Sequence, residues 1–189
     1  LLEAMEEKQV TVEGATRPLP TPFFVIATQN PQDQLGTYAL PESQLDRFLM
    51  RISLGYPDRA AERQLLAGND RRDLVDQLQP LLAGDELAQL QQAVLRVHIA
   101  APLLDYVQDL IAATRSGRWF LQGLSPRAGI ALVRAAQAQA LLCGRDYVAP
   151  DDVQAILPQT VAHRLVPVSD AGRGAVEQVR AMIEATPLP

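Results

Sequence analysis

The sequence has 189 residues, 48% hydrophobic and 21% charged, which is enough for one ordinary domain or two small ones with a hydrophobic core. Its net charge of -5 and pI near 5.0 argue against a general nucleic-acid binder, because phosphate backbones need clustered positive charge. With a single cysteine, no membrane-spanning apolar run and no signal-like N-terminus, we expect a cytoplasmic protein without a membrane span.

The N-terminal residues predict a helix followed by a β-hairpin. Residues 1–7 favour a helix, and the alternating QVTVEG segment at 9–14 then predicts a hairpin with a Glu-Gly turn. Its return arm carries Pro18 and Pro20, which cannot donate ladder hydrogen bonds. We therefore expect this hairpin to lie at a sheet edge or to project from the body.

Two further strands are predicted before residue 58. The apolar run FFVIA at 23–27 is typical of a central strand covered on both faces, and RISLGYP at 51–57 predicts a last short strand that ends at a proline. Between them, LPESQLDRF predicts a short helix with Pro41 in its first turn.

From Asp58 onward the apolar spacing is helical almost throughout. Asp58 is a predicted N-cap with Gly68 as the stop, and Ser125 with Pro126 opens the clearest helix. The predicted inner face of that helix is Ala128, Ala131, Leu132, Ala135 and Leu142. Other helices are predicted around Leu87, Leu90 and Val94, around Leu103, Val107 and Leu110, and over 151–164 and 174–185, the last with Val176, Val179 and Ile183 inward.

These elements predict a mainly α chain with an α/β fragment: part of a sheet at 1–57 and a helical bundle at 58–189. Lys8 is the one lysine among 17 basic residues and has no glycine-rich loop around it, so these residues contain no P-loop. The chain begins without methionine in a helical segment. We therefore expect it to be the C-terminal piece of a longer protein.

Asn30 follows the predicted strand at 23–27, at the edge where open α/β sheets place ligand-contacting groups. Its amide could hold a phosphate oxygen and orient an attacking water. A simple Asn-Pro turn is the alternative, and the spacing leaves both open.

Two arginines are candidate phosphate contacts. Arg47, in LPESQLDRF, could reach a neighbouring subunit and neutralise charge on a transferring phosphoryl group, or could form a surface ion pair with Asp46 or Glu42. Arg127 lies in the first turn of a helix, where the dipole disfavours a cation but attracts an anion. A side chain that leans into solvent is the alternative for Arg127.

The remaining polar residues predict no metal centre and no nucleophile. His98 and His163 have no metal-ligand spacing with each other or with Cys143, which we expect to be a small buried residue. Asp151 and Asp152 are interpreted as a helix start with acids in the first turn.

Several strings closely resemble the C-terminal part of MoxR-family AAA+ ATPases: LLEAMEE, QVTVEG, PFFVIATQNP, GTYALPESQLDRFLMRISLGYP and LSPRAGIAL. The resemblance covers essentially the whole chain. It implies that 1–57 is the C-terminal part of the AAA+ nucleotide-binding core, with the hairpin at 9–20 as the pre-sensor-1 hairpin, and that 58–189 is the α-helical lid.

The resemblance implies a role for each candidate. Asn30 matches sensor 1, which reads the γ-phosphate and positions water. Arg47 matches the arginine finger, which acts on ATP bound by the adjacent subunit of a ring, normally a hexamer. Arg127 matches the sensor-2 arginine of the lid, which contacts the nucleotide and couples hydrolysis to lid movement.

This sequence departs from the family pattern in two respects. Leu35 stands where many relatives have a second acid, and the P-loop and the acidic Mg²⁺ motif are not found in these residues. The resemblance implies ATP and Mg²⁺ as cofactors, with the Mg²⁺ ligands outside this chain. It also implies that the family's first strand, not found here, separates the two predicted strands, which should therefore expose apolar faces and unpaired edges.

The resemblance implies ATP-driven, chaperone-like remodelling of a protein substrate with a von Willebrand factor A domain partner, and a chain that is inactive alone. The alternative is a non-enzymatic helical interaction module that has lost nucleotide binding. A GK[ST] loop encoded upstream of Leu1 separates the two, because only the ATPase needs it.

Overall fold

The computed structural model describes residues 2–29, 41–68, 75, 77–168 and 174–188. The N-terminal part contains short elements: α1 (Leu2–Glu7), β1 (Gln9–Val12), β2 (Ala15–Pro18) and α2 (Glu42–Leu45). The later part is helical: α3 (Arg59–Leu66), α4 (Gly84–Arg96), α5 (Ala101–Arg115), α6 (Pro126–Leu142), α7 (Pro150–Val161) with a 3₁₀ turn (Ala162–Arg164), and α8 (Ala175–Ala185). The predicted fold class, mainly α with a small strand portion, is confirmed, while the division into domains at residue 57 stays a prediction.

The predicted hairpin forms. Strands β1 and β2 pair antiparallel, and the turn residues Glu13 and Gly14 both have positive φ, 52° and 78°, as a two-residue type I′ turn requires. Strand β2 is exposed along its length. Helix α1 holds strand β1, because the Glu3 carboxylate accepts hydrogen bonds from the Thr11 hydroxyl (2.7 Å) and the Thr11 N–H (3.2 Å).

The predictions of strands at 23–27 and within 51–57 are wrong for this chain. The sheet in the described residues contains β1 and β2 alone, and neither segment pairs with a neighbour there. A strand is stabilised by the hydrogen bonds of adjacent strands, so an apolar run without them stays irregular. The expectation of exposed apolar faces is confirmed: Ile26 is 79% exposed and Leu54 is 91% exposed.

The hydrophobic core lies in the helical part, where α6 packs most extensively on α7. Its largest fully buried side chains are Tyr106, Phe120, Leu110, Leu132, Leu157 and Met182. Burial of each large apolar side chain contributes about 1.5–3 kcal/mol, so this bundle is the main source of stability. No helix in the described ranges is long and apolar enough to cross a membrane.

Two predicted helix starts are confirmed by their capping bonds. The Asp58 carboxylate accepts a hydrogen bond from the Ala61 N–H at 2.8 Å, and the Ser125 hydroxyl accepts one from the Ala128 N–H at 3.1 Å. Gly68, with φ of 80°, follows the end of α3 as predicted.

Four residues predicted from apolar spacing or composition to face inward are exposed instead, among them Leu90 of α4, which is 44% exposed. Leu142 is 85% exposed and Cys143 is also exposed, because α6 ends at Leu142 and Gly144 turns the chain away. Val176, at the start of α8, is 43% exposed. The inner face of α6 continues instead through Ala136 and Ala140, which follow Leu132 at helical spacing.

We expect Gly123→Ala to lower the free energy of unfolding by about 1–3 kcal/mol, because a Cβ at this position would lie 2.8 Å from Arg115 Cα. The main chain at Arg115 cannot move aside as the end of a flexible side chain can. Urea denaturation followed by Trp119 fluorescence measures the loss. Gly84→Ala is the control, since its Cβ meets only Pro22 Cδ at an ordinary 3.5 Å, and an equal loss in both variants would contradict the prediction.

Candidate functional site

Of the three candidate residues, Asn30 lies outside the described residues, as does the loop with Leu35 and Gly36. The role of Asn30 therefore stays a prediction. Arg47 and Arg127 are both described, and the structure brings them to one place.

Arg47 lies in the turn that ends α2 rather than within the helix. Its main-chain N–H donates to the Gln44 carbonyl at 3.3 Å, and its Nε donates to the Ser43 carbonyl at 3.3 Å. These bonds direct the side chain, 22% exposed, towards α1, where Nη1 forms an ion pair with Oε2 of Glu6. This partner is neither of the two acids considered from the sequence.

Arg127 is the second residue of α6, as predicted, and contacts the same carboxylate. Its Nη2 lies 2.6 Å from Oε1 of Glu6, and its side chain is 53% exposed. The hydrogen bond from Arg127, together with the charge of Arg47, lowers the pKa of Glu6. Glu6 is therefore an anion held between the two guanidinium groups.

This arrangement has the chemistry of an oxyanion site. A guanidinium group has five N–H donors, and Arg47 and Arg127 each use only some of theirs to bind Glu6. The first turn of α6 adds the positive end of the helix dipole beside Arg127. Each of these two arginines is suited to bind phosphate oxygens.

Asp46 and Arg164 form a second charged pair directly beside Arg47. Arg164 Nε donates to Asp46 Oδ1 at 2.8 Å, and the Ser125 hydroxyl donates to Asp46 Oδ2 at 3.0 Å. The Arg164 side chain is only 5% exposed. Sequence reasoning missed Arg164. The available signal was its position between two apolar residues, Ala162 and Leu165, both of which are buried.

Arg164 also binds main-chain oxygens around Arg47. Nη2 donates to the carbonyls of Phe48 (2.6 Å) and Asp46 (3.2 Å), and Nη1 donates to the Thr160 carbonyl. His163 Nε2 lies 3.3 Å from the Phe48 carbonyl. Burial, followed by the charge of Arg164, lowers the pKa of His163 to about 4, so at neutral pH the ring adds no positive charge here.

Asp152 has a structural role, as expected for an acid in a first helical turn. Its carboxylate accepts two hydrogen bonds from Arg145, both 2.6 Å, and one from the Ala149 N–H at 2.8 Å. Asp152 is buried in the described structure. Among the residues that the structure describes, no three His, Cys, Asp or Glu side chains group closely enough to hold a metal ion.

A separate groove lies beside α6. It has a volume of about 670 Å³ and lies between α4, α5 and α6, with Val97, Leu104 and Ile130 among its apolar lining. Neither Arg47 nor Arg127 lines it. The candidate site is therefore an open, charged surface rather than an apolar cavity.

Comparisons with known proteins agree on one family. The model of the "ATPase family associated with various cellular activities (AAA)" matches residues 1–50, and the "AAA lid domain" model matches 112–184. A crystal structure of a candidate ATPase from Cytophaga hutchinsonii is 34% identical and superposes with a TM-score of 0.87, covering 100% of this chain and 61% of that one.

Several curated relatives are similar over most of this chain. YeaC of Bacillus subtilis is 43% identical over 192 residues, which cover 100% of this chain and 60% of that protein. Chaperone MoxR1 of Mycobacterium tuberculosis is 40% identical, covering 90% and 47%. Protein MoxR of Methylorubrum extorquens is 32% identical, covering 100% and 62%.

This chain thus spans 60%, 47% and 62% of the length of these three relatives. The two family models match 1–50 and 112–184, and neither covers 51–111. The matched models, the MoxR relatives and the shared fold together show that the chain belongs to the MoxR-type AAA+ ATPases.

Proposed function

We propose that the whole protein binds and hydrolyses ATP, and that this chain supplies Arg47 and Arg127 as contacts to the phosphates. The observation that carries the proposal is that each guanidinium group binds a carboxylate oxygen, Arg47 at Oε2 and Arg127 at Oε1 of Glu6. Carboxylate and phosphate oxygens accept the same charge-assisted hydrogen bonds, so each arginine is suited by itself to bind a phosphate oxygen.

Each candidate residue has a distinct task in this proposal. Arg47 acts as an arginine finger on ATP held by an adjacent subunit, where it neutralises charge that develops during phosphoryl transfer. Arg127 contacts the phosphates of its own subunit's nucleotide at the start of α6. Asn30, as sensor 1, orients the attacking water.

Mg²⁺ is proposed to accompany ATP and to neutralise charge on its phosphates. Following the family resemblance, its ligands are proposed to lie outside this chain. The residues described here fit the phosphates rather than the metal, since both contacts are cationic.

The wider role is proposed from the named relatives. One of them is a chaperone, MoxR1 of Mycobacterium tuberculosis, which supports chaperone-like remodelling of a protein substrate as the work driven by ATP. A ring, normally a hexamer, is proposed because a finger that acts on a neighbour needs an adjacent subunit. The von Willebrand factor A domain partner is proposed from the family resemblance alone.

We expect Arg127→Ala to lower ATP turnover by the full-length protein about 10- to 100-fold. A hydrogen bond to a charged group contributes about 1.5–3 kcal/mol, and each 1.36 kcal/mol is tenfold in rate. Phosphate release at several ATP concentrations measures the change. The matched control is Arg134→Ala, another exposed arginine of α6 that hydrogen-bonds Gln137 instead of Glu6.

Unchanged turnover in both Arg47→Ala and Arg127→Ala would overturn the assigned roles. A full-length wild-type protein without any ATP turnover would overturn the enzymatic proposal itself and favour the non-enzymatic interaction module.

A further inference from the structure

Asp46 links the turn that carries Arg47 to the helix that carries Arg127. It precedes Arg47 in the chain, and its Oδ2 accepts the Ser125 hydroxyl hydrogen bond at 3.0 Å. The same Ser125 oxygen accepts the Ala128 N–H at 3.1 Å and so caps α6, two residues before Arg127. A single carboxylate therefore contacts both arginine-bearing elements.

Arg164 fixes this carboxylate from the opposite side. Its Nε donates to Asp46 Oδ1 at 2.8 Å, and its Nη2 donates to the carbonyls of Asp46 (3.2 Å) and Phe48 (2.6 Å). These two carbonyls flank Arg47 directly. The backbone on both sides of Arg47 is thus held by one side chain at the end of α7.

A second contact extends the attachment of this segment to α7. The Arg51 N–H donates to the Gln159 carbonyl at 2.8 Å. Arg164 is 5% exposed, so its guanidinium depends on the Asp46 carboxylate and on the carbonyls of Asp46 and Phe48 in place of water. The planar fork of arginine matches several acceptors at once, and a lysine ammonium cannot reproduce that geometry.

We propose that Asp46 and Arg164 are positioning residues that hold Arg47 and Arg127 in a fixed relation within one subunit. The inference rests on the proposed function and deepens it. Because Ser125 caps α6, a shift of α6 when Arg127 contacts nucleotide passes through Asp46 to the turn of Arg47. The nucleotide state of a subunit then changes the finger that it offers to its neighbour.

The test compares Arg164→Lys with Arg145→Lys in the full-length protein. Both variants replace an arginine that pairs with an aspartate near α7, but the Arg145 to Asp152 pair does not contact the segment around Arg47. We expect Arg164→Lys to lower kcat about 10- to 100-fold with the KM for ATP little changed, because small displacements of a catalytic group have effects of this size. Arg145→Lys should keep the wild-type kcat at a comparable loss of Tm.

Asp46→Asn provides a second variant that keeps the side-chain shape, in case Arg164→Lys does not fold. Amide hydrogen exchange supplies a readout that does not depend on turnover. Exchange at the Arg51 N–H, which is bonded to Gln159, should rise in Arg164→Lys and Asp46→Asn but not in Arg145→Lys.

The outcomes separate this inference from the proposed function. If the wild-type protein hydrolyses ATP and kcat falls equally in Arg164→Lys and Arg145→Lys, the positioning role is overturned and the proposed function stands. Unchanged amide exchange at Arg51 in Arg164→Lys and Asp46→Asn would overturn the positioning role in the same way. A wild-type protein without turnover would overturn the proposed function and this inference with it. A loss of kcat and a rise in Arg51 exchange that occur in Arg164→Lys and Asp46→Asn, but not in Arg145→Lys, support both the proposed function and the positioning role.

Discussion

Replacing Arg47 with alanine in the full-length protein is expected to lower kcat for ATP hydrolysis by about 10³-fold or more, since an arginine finger contributes roughly 10³–10⁵ in rate. The reason lies in its placement. The side chain is 22% exposed and tethered by the Ser43 carbonyl, so its guanidinium is both accessible and oriented. Phosphate release at saturating ATP measures the loss, and Arg59→Ala, an exposed arginine at the start of α3, is the control.

A mixing experiment tests whether Arg47 acts on the neighbouring subunit. Subunits with Arg47→Ala are combined with subunits whose own ATP site is inactivated but whose Arg47 is intact. If the finger acts between subunits, the intact Arg47 completes the site of the variant and the mixture regains turnover. No recovery on mixing, or a wild-type rate in Arg47→Ala alone, would contradict the assignment.

The helices could be predicted from the sequence because their determinants are local. Ser125 caps α6 and Asp58 caps α3 through bonds to residues three positions later. The strand predictions at 23–27 and within 51–57 failed because a strand depends on a partner elsewhere. The apolar run of FFVIA carries no information on whether such a partner is adjacent.

The candidate site could be predicted only in part, for the same physical reason. Arg47 and Arg127 were identified from short motifs, whereas their common partner, Glu6, lies 121 residues from Arg127 in sequence. Arg164 is likewise 118 residues from Asp46. Contacts over such separations are created by the packing of the chain, and no local pattern of one sequence encodes them.

Leu142 shows that helical periodicity alone does not predict burial at the end of a helix. Helical spacing predicts an inner face that runs to the last turn of α6, but Leu142 in that turn is 85% exposed. Helical spacing predicts which side of a helix faces the core, and it does not predict where the core ends.

Asp152→Ala is expected to lower the free energy of unfolding of this chain by about 3 kcal/mol, the lower end of the range for breaking a buried pair, because Arg145 stays 28% exposed and water can solvate it. The loss combines two bonds from Arg145 with one from the Ala149 N–H. Urea denaturation followed by Trp119 fluorescence measures it. Asp151→Ala is the matched control, an exposed acid in the same turn with an expected effect of about 0.3–1 kcal/mol.

The same pair predicts a pH dependence with a definite sign. The hydrogen bonds from Arg145, ahead of the bond from Ala149, lower the pKa of Asp152 in the folded protein. Because the pKa of Asp152 is lower in the folded protein than in the unfolded chain, its ionised carboxylate stabilises the fold at any pH above the unfolded pKa, which is about 4. This stabilisation is lost as the pH falls through the pKa of the folded protein. The difference in free energy of unfolding between wild type and Asp152→Ala should therefore be constant above about pH 5 and become smaller below it. A difference that becomes larger on acidification would mean that Asp152 is not held as an anion by Arg145.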